Sequence, residues 1–211
     1  MNLVEVSGLR VDLGRHIVLA GVDLRLAQGE RLGVSGPNGA GKTTLLAVLA
    51  TLRAPISGSV RVLGADPATD AVRAIRPRIG WSGHHPALYD DLTLSENLRH
   101  FSRLAGRGDT PADEALSQVG LAGAAHRLAR ECSNGMRRRA DLARLLLLRP
   151  RLLLLDEAHA GLDPDALVII RALMDRTVAD GGGVVMVSHD ARALSGYVDR
   201  TIVLDRGEVR R

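Results

Sequence analysis

Short apolar runs typical of β-strands alternate with helical patterns along the first third of the chain. Leu3–Val11 and Gly21–Ala27 have the apolar and polar alternation expected of strands, and we predict that they pair antiparallel. The apolar run Arg31–Ser35 predicts a buried strand, and Lys42–Thr51 predicts a helix after it. Two further short strands are predicted at Val60–Leu63 and Ile79–Trp81.

The middle of the chain, from Thr93 to Leu148, has helical periodicity. Ser95 is the predicted N-cap of the first helix in this region. Pro111–Gly120 predicts a short helix that ends at glycine, and Met136–Leu148 predicts a longer helix with a basic first turn. These residues form a helical insert between two regions that contain strands.

The last third returns to buried apolar runs, which one more helix separates. Asp163 and Pro164 form a favourable N-cap and first-turn pair for a helix over Asp165–Ala179, and Gly181–Gly183 ends that helix. Alternation of strands and helices, with a helical insert, predicts an α/β fold with a mostly parallel sheet. The predicted strands of this region are Leu152–Leu155, Val184–Val187 and Thr201–Leu204.

Composition and charge argue against several classes of protein. Of the 211 residues, 45% are hydrophobic but only 2% are aromatic, so the predicted core is aliphatic. A net charge of +4 is a weak argument for nucleic-acid binding, and we expect no nucleic-acid partner. The single cysteine, Cys132, excludes an internal disulfide and a cysteine-based zinc cluster. Neither a signal-peptide pattern nor a run of 18 apolar residues is evident, so we expect a partner to provide any membrane association.

The stretch "GPNGAGKTT" contains the chain's only lysine and fits the phosphate-loop pattern G-x-x-x-x-G-K-[ST] between a strand and a helix. Its glycines allow backbone N–H groups to surround phosphate oxygens, and the helix N-terminus adds positive potential. The compact ammonium fits a crowded loop that would not accommodate the wide guanidinium of arginine. The alternative is a glycine-rich turn with a lysine by chance. The predicted nucleotide-binding residues here are Gly36, Pro37, Asn38, Gly39, Ala40, Gly41, Lys42, Thr43 and Thr44.

The run "LLLLDE" supplies the second half of a nucleotide site, because it places two carboxylates at the end of a buried strand. Asp156 is predicted to hold Mg²⁺ beside the Thr43 hydroxyl. Glu157 is predicted to orient and deprotonate the attacking water. A strand that ends in acidic residues is by itself an ordinary solvated strand end, but the phosphate loop strengthens the functional interpretation.

Three further segments resemble the ATPases of ABC transporters, in the order and spacing of that family. "CSNGMRRRADLARLLL" resembles the family's signature segment and places Ser133 and Gly135 where signature residues contact nucleotide. "AGLD" resembles the D-loop and ends at Asp163, and "VVMVSHD" resembles the switch region, with His189 as the γ-phosphate contact. The resemblance covers the whole chain. It implies a P-loop NTPase (RecA-like) core with an antiparallel β subdomain and a helical subdomain.

The resemblance also implies how the chain is divided and how it works. It implies one domain over residues 1–211, with a core formed by 1–82 and 150–211 and a helical subdomain over 83–149. ATP and Mg²⁺ are the implied cofactors, and Lys42, Glu157 and His189 are the implied catalytic residues. Each ATP is expected to lie between one copy's phosphate loop and the signature of a second copy. A membrane permease, bound near residues 84–94, would hold the chain at the cytoplasmic face of the membrane.

A narrower resemblance is to the heme-exporter ATPases of cytochrome c maturation, the CcmA family, carried by "GHHPALYDDLTLSENLRHF" and "CSNGMRRRADLAR". The chain also departs from the wider family. His84 is aligned with the glutamine that usually contacts Mg²⁺, although His85 fits after a shift of one residue. Leu13 replaces the aromatic residue that stacks on adenine, Asn134 replaces the first signature glycine, and Ala158 replaces the usual proline.

Several alternatives remain open at this point. The cargo of an ABC exporter is not encoded in this chain, so heme is one hypothesis among others. A soluble ABC ATPase acting on DNA or ribosomes is a second function class, and a cassette that binds nucleotide without hydrolysis is a third. The basic run Arg137–Arg139 opens a helix, where it is either a nucleotide or partner contact or a solvated face.

Overall fold

The computed structural model describes residues 1–108, 111–158 and 163–210. In chain order the strands are β1 (Asn2–Leu13), β2 (His16–Ala27), β3 (Arg31–Ser35), β4 (Ser57–Val62), β5 (Ile79–Ser82), β6 (Leu152–Asp156), β7 (Gly183–Ser188), β8 (Arg200–Asp205) and β9 (Glu208–Arg210). The α-helices are α1 (Lys42–Leu49), α2 (Val72–Ile75), α3 (Leu94–Leu104), α4 (Pro111–Gln118), α5 (Asn134–Leu148) and α6 (Pro164–Ala179). Within the described ranges, none of these helices is long and apolar enough to cross a bilayer.

The strands form two sheets, which confirms the predicted α/β class and the predicted antiparallel pairing of the first two strands. A three-stranded antiparallel sheet has the order β2-β1-β4. A six-stranded sheet has the order β5-β6-β7-β3-β8-β9 and is parallel except for β9. Strand β9 was not predicted from the sequence.

The register of the larger sheet brings three strand ends together at one edge. Ser35 at the end of β3 is opposite Ser188 of β7, and Asp156 of β6 is opposite Val187. The chain therefore leaves β3, β6 and β7 side by side. Ligands of open α/β sheets bind at this carboxyl edge.

Two apolar clusters cover the two faces of the larger sheet. Leu152 and Leu154 of β6 pack toward α1 and the three-stranded sheet, whereas Leu153 and Leu155 pack toward α3–α6. These four leucines are completely buried. Both faces of β6 are covered, which explains why its sequence is continuously apolar instead of alternating.

The boundaries of the predicted helices agree with the structure to within two residues, but one predicted cap is wrong. Ser95 is not the N-cap of α3: Thr93 is, and it forms a capping box with Glu96. Ser95 is buried and its hydroxyl donates to Asp113 at 3.0 Å. Helix α5 begins two residues before the predicted Met136 because Ser133 caps it. The predicted N-cap Asp163 of α6 is confirmed, with its carboxylate accepting from the Ala166 N–H at 2.8 Å.

Candidate functional site

The loop between β3 and α1 is packed so tightly that two of its glycines have no room for a side chain. A Cβ at Gly36 would lie 1.9 Å from the Leu204 carbonyl oxygen of β8. A Cβ at Gly41 would lie 2.7 Å from the Leu19 side chain, and the backbone there has φ 103°. Glycine is required at both positions, because the loop approaches the neighbouring backbone closely and adopts positive φ.

The ammonium of Lys42 is held inside this loop. The Lys42 side chain is 7% exposed, and its Nζ donates to the Gly36 carbonyl at 2.7 Å and to the Pro37 carbonyl at 2.9 Å. An ammonium has three donors, so one remains for a further acceptor. Because Gly41 at the N-cap has no side-chain oxygen, the first N–H groups of α1 remain available to an anion.

Asp156 offers a carboxylate oxygen that no described group satisfies. Asp156 is 2% exposed, and its Oδ2 is buried without a hydrogen-bond partner in the described residues. A buried charged oxygen is costly unless a cation or donor pairs with it. Thr43, one residue into α1, exposes its hydroxyl-bearing side chain to the same cleft. An oxygen set of this kind fits Mg²⁺, which binds one or two protein oxygens and completes its shell with phosphate and water.

Glu157 adopts a backbone conformation that is rare for a residue with a side chain. Its φ is 53°, and such a conformation costs on the order of 1–3 kcal/mol. The turn directs the carboxylate to the end of β7, where it accepts from the backbone N–H of His189 at 2.7 Å. The His189 ring nitrogen Nδ1 lies 3.0 and 2.9 Å from the two carboxylate oxygens. Glu157 and His189 therefore form a positioned pair.

These groups share one open cleft of about 670 Å³ at the carboxyl edge of the sheet. Its lining residues are Leu13, Val18, Asn38, Gly39, Gly41, Lys42, Thr43, Thr44, His84, Asp156, Glu157 and His189. Among the lining residues that the structure describes, only Val18 was not predicted from the sequence, because nothing in its local sequence marks it. Gly36, Pro37 and Ala40 shape the loop without lining the cleft.

The two adjacent histidines, His84 and His85, line two different cavities. His84 lines the cleft with Asp156, whereas His85 lines a separate groove beside Trp81 and Arg144. This placement favours His84 over His85 as the residue equivalent to the family's glutamine. Leu13 also lines the cleft and is 40% exposed.

Of the predicted signature and D-loop residues that the structure describes, Ser133, Gly135 and Asp163 do not line the cleft of their own chain. Ser133 caps α5 and accepts from the Met136 N–H at 3.2 Å, and Gly135 lies exposed in the first turn. Asp163 caps α6. The other predicted D-loop residues, 160–162, lie outside the described residues.

The arginines at the start of α5 are partly buried and contact nearby loops. Arg137 pairs with Asp90 at 2.6 Å, and Arg138 donates to the Gly83 carbonyl at 2.5 Å. Burial lowers the pKa of Arg138, and the nearby carboxylates of Asp141 and Asp156 oppose that effect. The interpretation as a freely solvated face is therefore wrong for Arg138.

Comparison with known proteins relates this chain to ATP-binding proteins of transporters. The sequence profile described as "ABC transporter" matches residues 19–160. The daunorubicin resistance ATP-binding protein DrrA3 of Streptomyces coeruleorubidus is 40% identical over 98% of this chain. The cytochrome c biogenesis ATP-binding export protein CcmA of Nitrosomonas europaea is 38% identical over 97% of this chain and 96% of its own length. The chain spans only 66% of the length of DrrA3.

Solved structures show the same fold. The ATP-binding subunit of an ABC transporter superposes with a TM-score of 0.91 at 28% identity, covering 99% of this chain and 88% of the other. The ATP-binding cassette MJ0796, in a dimeric post-hydrolysis state bound to ADP and Pi, superposes with a TM-score of 0.88 at 28% identity. That match covers 99% of this chain and 97% of MJ0796.

Proposed function

We propose a function for this chain from one premise: it belongs to the ABC transporter family. It has the fold of an ABC ATPase domain, with an α/β core, an antiparallel β-sheet and a group of helices, and it is an ATP hydrolase of that type. We propose that it powers export through a separate integral membrane permease, to which it binds at the cytoplasmic face of the membrane. One observation carries the proposal: Lys42, Asp156 and the Glu157–His189 pair meet in one cleft.

The proposed chemistry assigns each of these groups a task. Lys42 exchanges its bonds to loop carbonyls for bonds to the β- and γ-phosphates of ATP. Asp156 and Thr43 hold Mg²⁺, with His84 at the edge of that site. When bound, Mg²⁺ neutralises charge that develops on the phosphate oxygens. Glu157 takes a proton from the attacking water, and His189 contacts the γ-phosphate.

We further propose that two copies complete each site. Ser133, Gly135 and Asp163 do not line the cleft of their own chain, so the cleft of a second copy is where they would meet nucleotide. A two-fold dimer pairs each cleft with the other copy's signature and completes both sites. Residues 1–82 and 150–211 would form the core, and residues 83–149 the helical subdomain that contacts the permease near residues 84–94.

We propose that the cargo of the transporter is heme for cytochrome c maturation. Its support is the 38% identity to CcmA of Nitrosomonas europaea over nearly the full length of both chains. DrrA3 is equally similar, and its name refers to daunorubicin resistance, which favours a different cargo. Tagging the chain in its native cells and identifying copurified proteins separates the two. Cytochrome-maturation proteins support heme, whereas a permease without them supports another cargo.

Phosphate release by the Glu157→Gln variant tests the enzymatic proposal. Loss of the general base is expected to lower turnover by about 10²–10⁴-fold, with MgATP binding retained. Glu208→Gln, an exposed change on β9 outside the cleft, is the matched control. Unchanged turnover in Glu157→Gln would refute the assigned base. No turnover in the wild-type chain, alone or with its permease, would indicate a cassette that only binds nucleotide. Salt-dependent DNA binding would instead support a non-transport ATPase.

A further inference from the structure

A buried ion pair on α5 is not used by the chemistry proposed above. Asp141 is completely buried and Arg144 is 6% exposed. The Oδ1 atom of Asp141 accepts from Arg144 Nε at 3.0 Å and from Nη2 at 2.8 Å. Two charges removed from water are costly unless their other hydrogen-bonding groups are also satisfied. The other hydrogen-bond partners of Asp141 and Arg144 therefore indicate which segment this ion pair holds in place.

The remaining partners of Asp141 lie on both sides of His84. The Ser82 hydroxyl at the end of β5 donates to Asp141 Oδ2 at 2.7 Å. The backbone N–H of Ala87 donates to Asp141 Oδ1 at 3.2 Å. One carboxylate thus fixes the segment that precedes His84 and the segment that follows it.

Two arginines of the same helix hold the backbone on either side of Ser82. Arg144 Nη2 donates to the Trp81 carbonyl at 2.8 Å, and Arg138 Nη1 donates to the Gly83 carbonyl at 2.5 Å. Arg144 also lies over the Phe101 ring of α3, 5.2 Å from its centroid. We call Arg138, Asp141 and Arg144 the α5 clamp, and residues 83–87 the His84 loop.

The clamp connects the His84 loop to the signature end of α5. Ser133 caps the helix, and Asp141 lies eight residues further on, about 12 Å along the helix axis at 1.5 Å per residue. His84 and His85 themselves are exposed, whereas Gly83 and Ala87 at the two ends of the loop bond to side chains of α5. A displacement of α5 would therefore carry the tip with it.

We propose that the α5 clamp consists of positioning residues that lock the His84 loop to α5, so that Ser133 and His84 move as one body. The proposal rests on the function proposed above, in which His84 borders one nucleotide and Ser133 meets the nucleotide of the second copy. The clamp would thus couple two sites across the dimer. A merely structural pair would hold α5 on the sheet without controlling the loop.

Hydrogen exchange on the full chain tests the link between clamp and loop. Asp141→Asn and Ser82→Ala are expected to raise the exchange rate of amides in residues 83–88 at least tenfold. Asp175→Asn is the matched control and is expected to leave that rate unchanged. It removes an ion pair far from the loop, in which Asp175 Oδ1 of α6 lies 2.7 Å from Arg31 Nη2 of β3. If Asp141→Asn does not fold, Ser82→Ala decides, because it keeps the ion pair and removes only the bond between Asp141 and the end of β5, where the His84 loop begins.

The kcat for ATP hydrolysis and the Kd for MgATP distinguish a positioning role from a merely structural one, because loss of a merely structural contact would not lower kcat selectively. Ser82→Ala is expected to lower kcat severalfold while the Kd for MgATP stays within twofold of wild type. Emission of Trp81, the only tryptophan, reports directly on the clamped segment and is expected to shift in the same variant. Unchanged exchange in residues 83–88, or faster exchange with unchanged kcat, would overturn the proposal. If the wild-type chain has no turnover, the proposed function fails, whereas the exchange result still decides whether the clamp holds the loop.

Discussion

Replacing Leu13 with tryptophan is expected to tighten ATP binding. Leu13 lies at the end of β1, lines the cleft and is 40% exposed, so a larger flat side chain has room there. Aromatic stacking adds about 0.5–1.5 kcal/mol beyond the area that is buried, which corresponds to a Kd lower by about 2- to 12-fold. Aromatic residues are favourable in strands, so little loss of folding stability is expected.

The assay is calorimetric titration of MgATP in a Glu157→Gln background, which suppresses turnover during the measurement. Ile17→Trp is the matched control, because Ile17 lies on the same hairpin, is 54% exposed and does not line the cleft. It is expected to leave the Kd unchanged. An unchanged Kd for Leu13→Trp, or an equal gain for Ile17→Trp, would refute the placement of adenine beside Leu13.

Three further predictions follow from the geometry of the loop and the helix caps. Lys42→Arg is expected to weaken MgATP binding at least tenfold although the charge is kept, because a planar guanidinium does not fit between the Gly36 and Pro37 carbonyls. Calorimetric titration of the variant with MgATP checks this, and an affinity equal to that of the wild type would refute it. Gly41→Ala is expected to destabilise the fold more than Gly39→Ala in urea unfolding. Both have positive φ, but only Gly41 has atoms within 4 Å of the added Cβ, so equal losses would contradict the packing argument. Asp163→Ala is expected to cost about 1 kcal/mol of unfolding free energy because α6 loses its N-cap bond to Ala166, and an unchanged urea midpoint would count against that cap.

Local sequence was enough to predict the parts of the site that neighbouring residues form. The phosphate loop and the pair Asp156–Glu157 each lie within one strand–loop segment, and the structure brings both to the same cleft. The wrong assignment of Ser95 as the N-cap of α3 also concerned local sequence, because Thr93 and Glu96 have the spacing of a capping box. This capping-box pattern predicts Thr93 as the N-cap, as the structure shows.

The parts that could not be predicted depend on contacts between distant segments. Val18 enters the cleft because β2 pairs with the end of β1, and a sequence pattern does not give that placement. Asp141 is an ordinary acidic residue in a helical pattern, but its carboxylate is buried and accepts from the hydroxyl of Ser82, 59 residues earlier in the chain. The choice between His84 and His85 also depends on distant contacts, because only the folded chain places His84 beside the cleft and His85 in the groove beside Trp81.

The single lysine in an arginine-rich chain follows from two opposing demands on basic residues. Arg138 and Arg144 reach backbone carbonyls and a buried carboxylate at once, and a fork of several donors satisfies such mixed partners. Lys42 bonds to two loop carbonyls, and in the proposed chemistry it exchanges them for phosphate oxygens. A compact ammonium on a flexible stem can exchange acceptors without moving the loop, whereas a guanidinium would hold it open. We therefore attribute the single lysine to the need for a basic residue that changes partners, whereas Arg138 and Arg144 hold their partners in place.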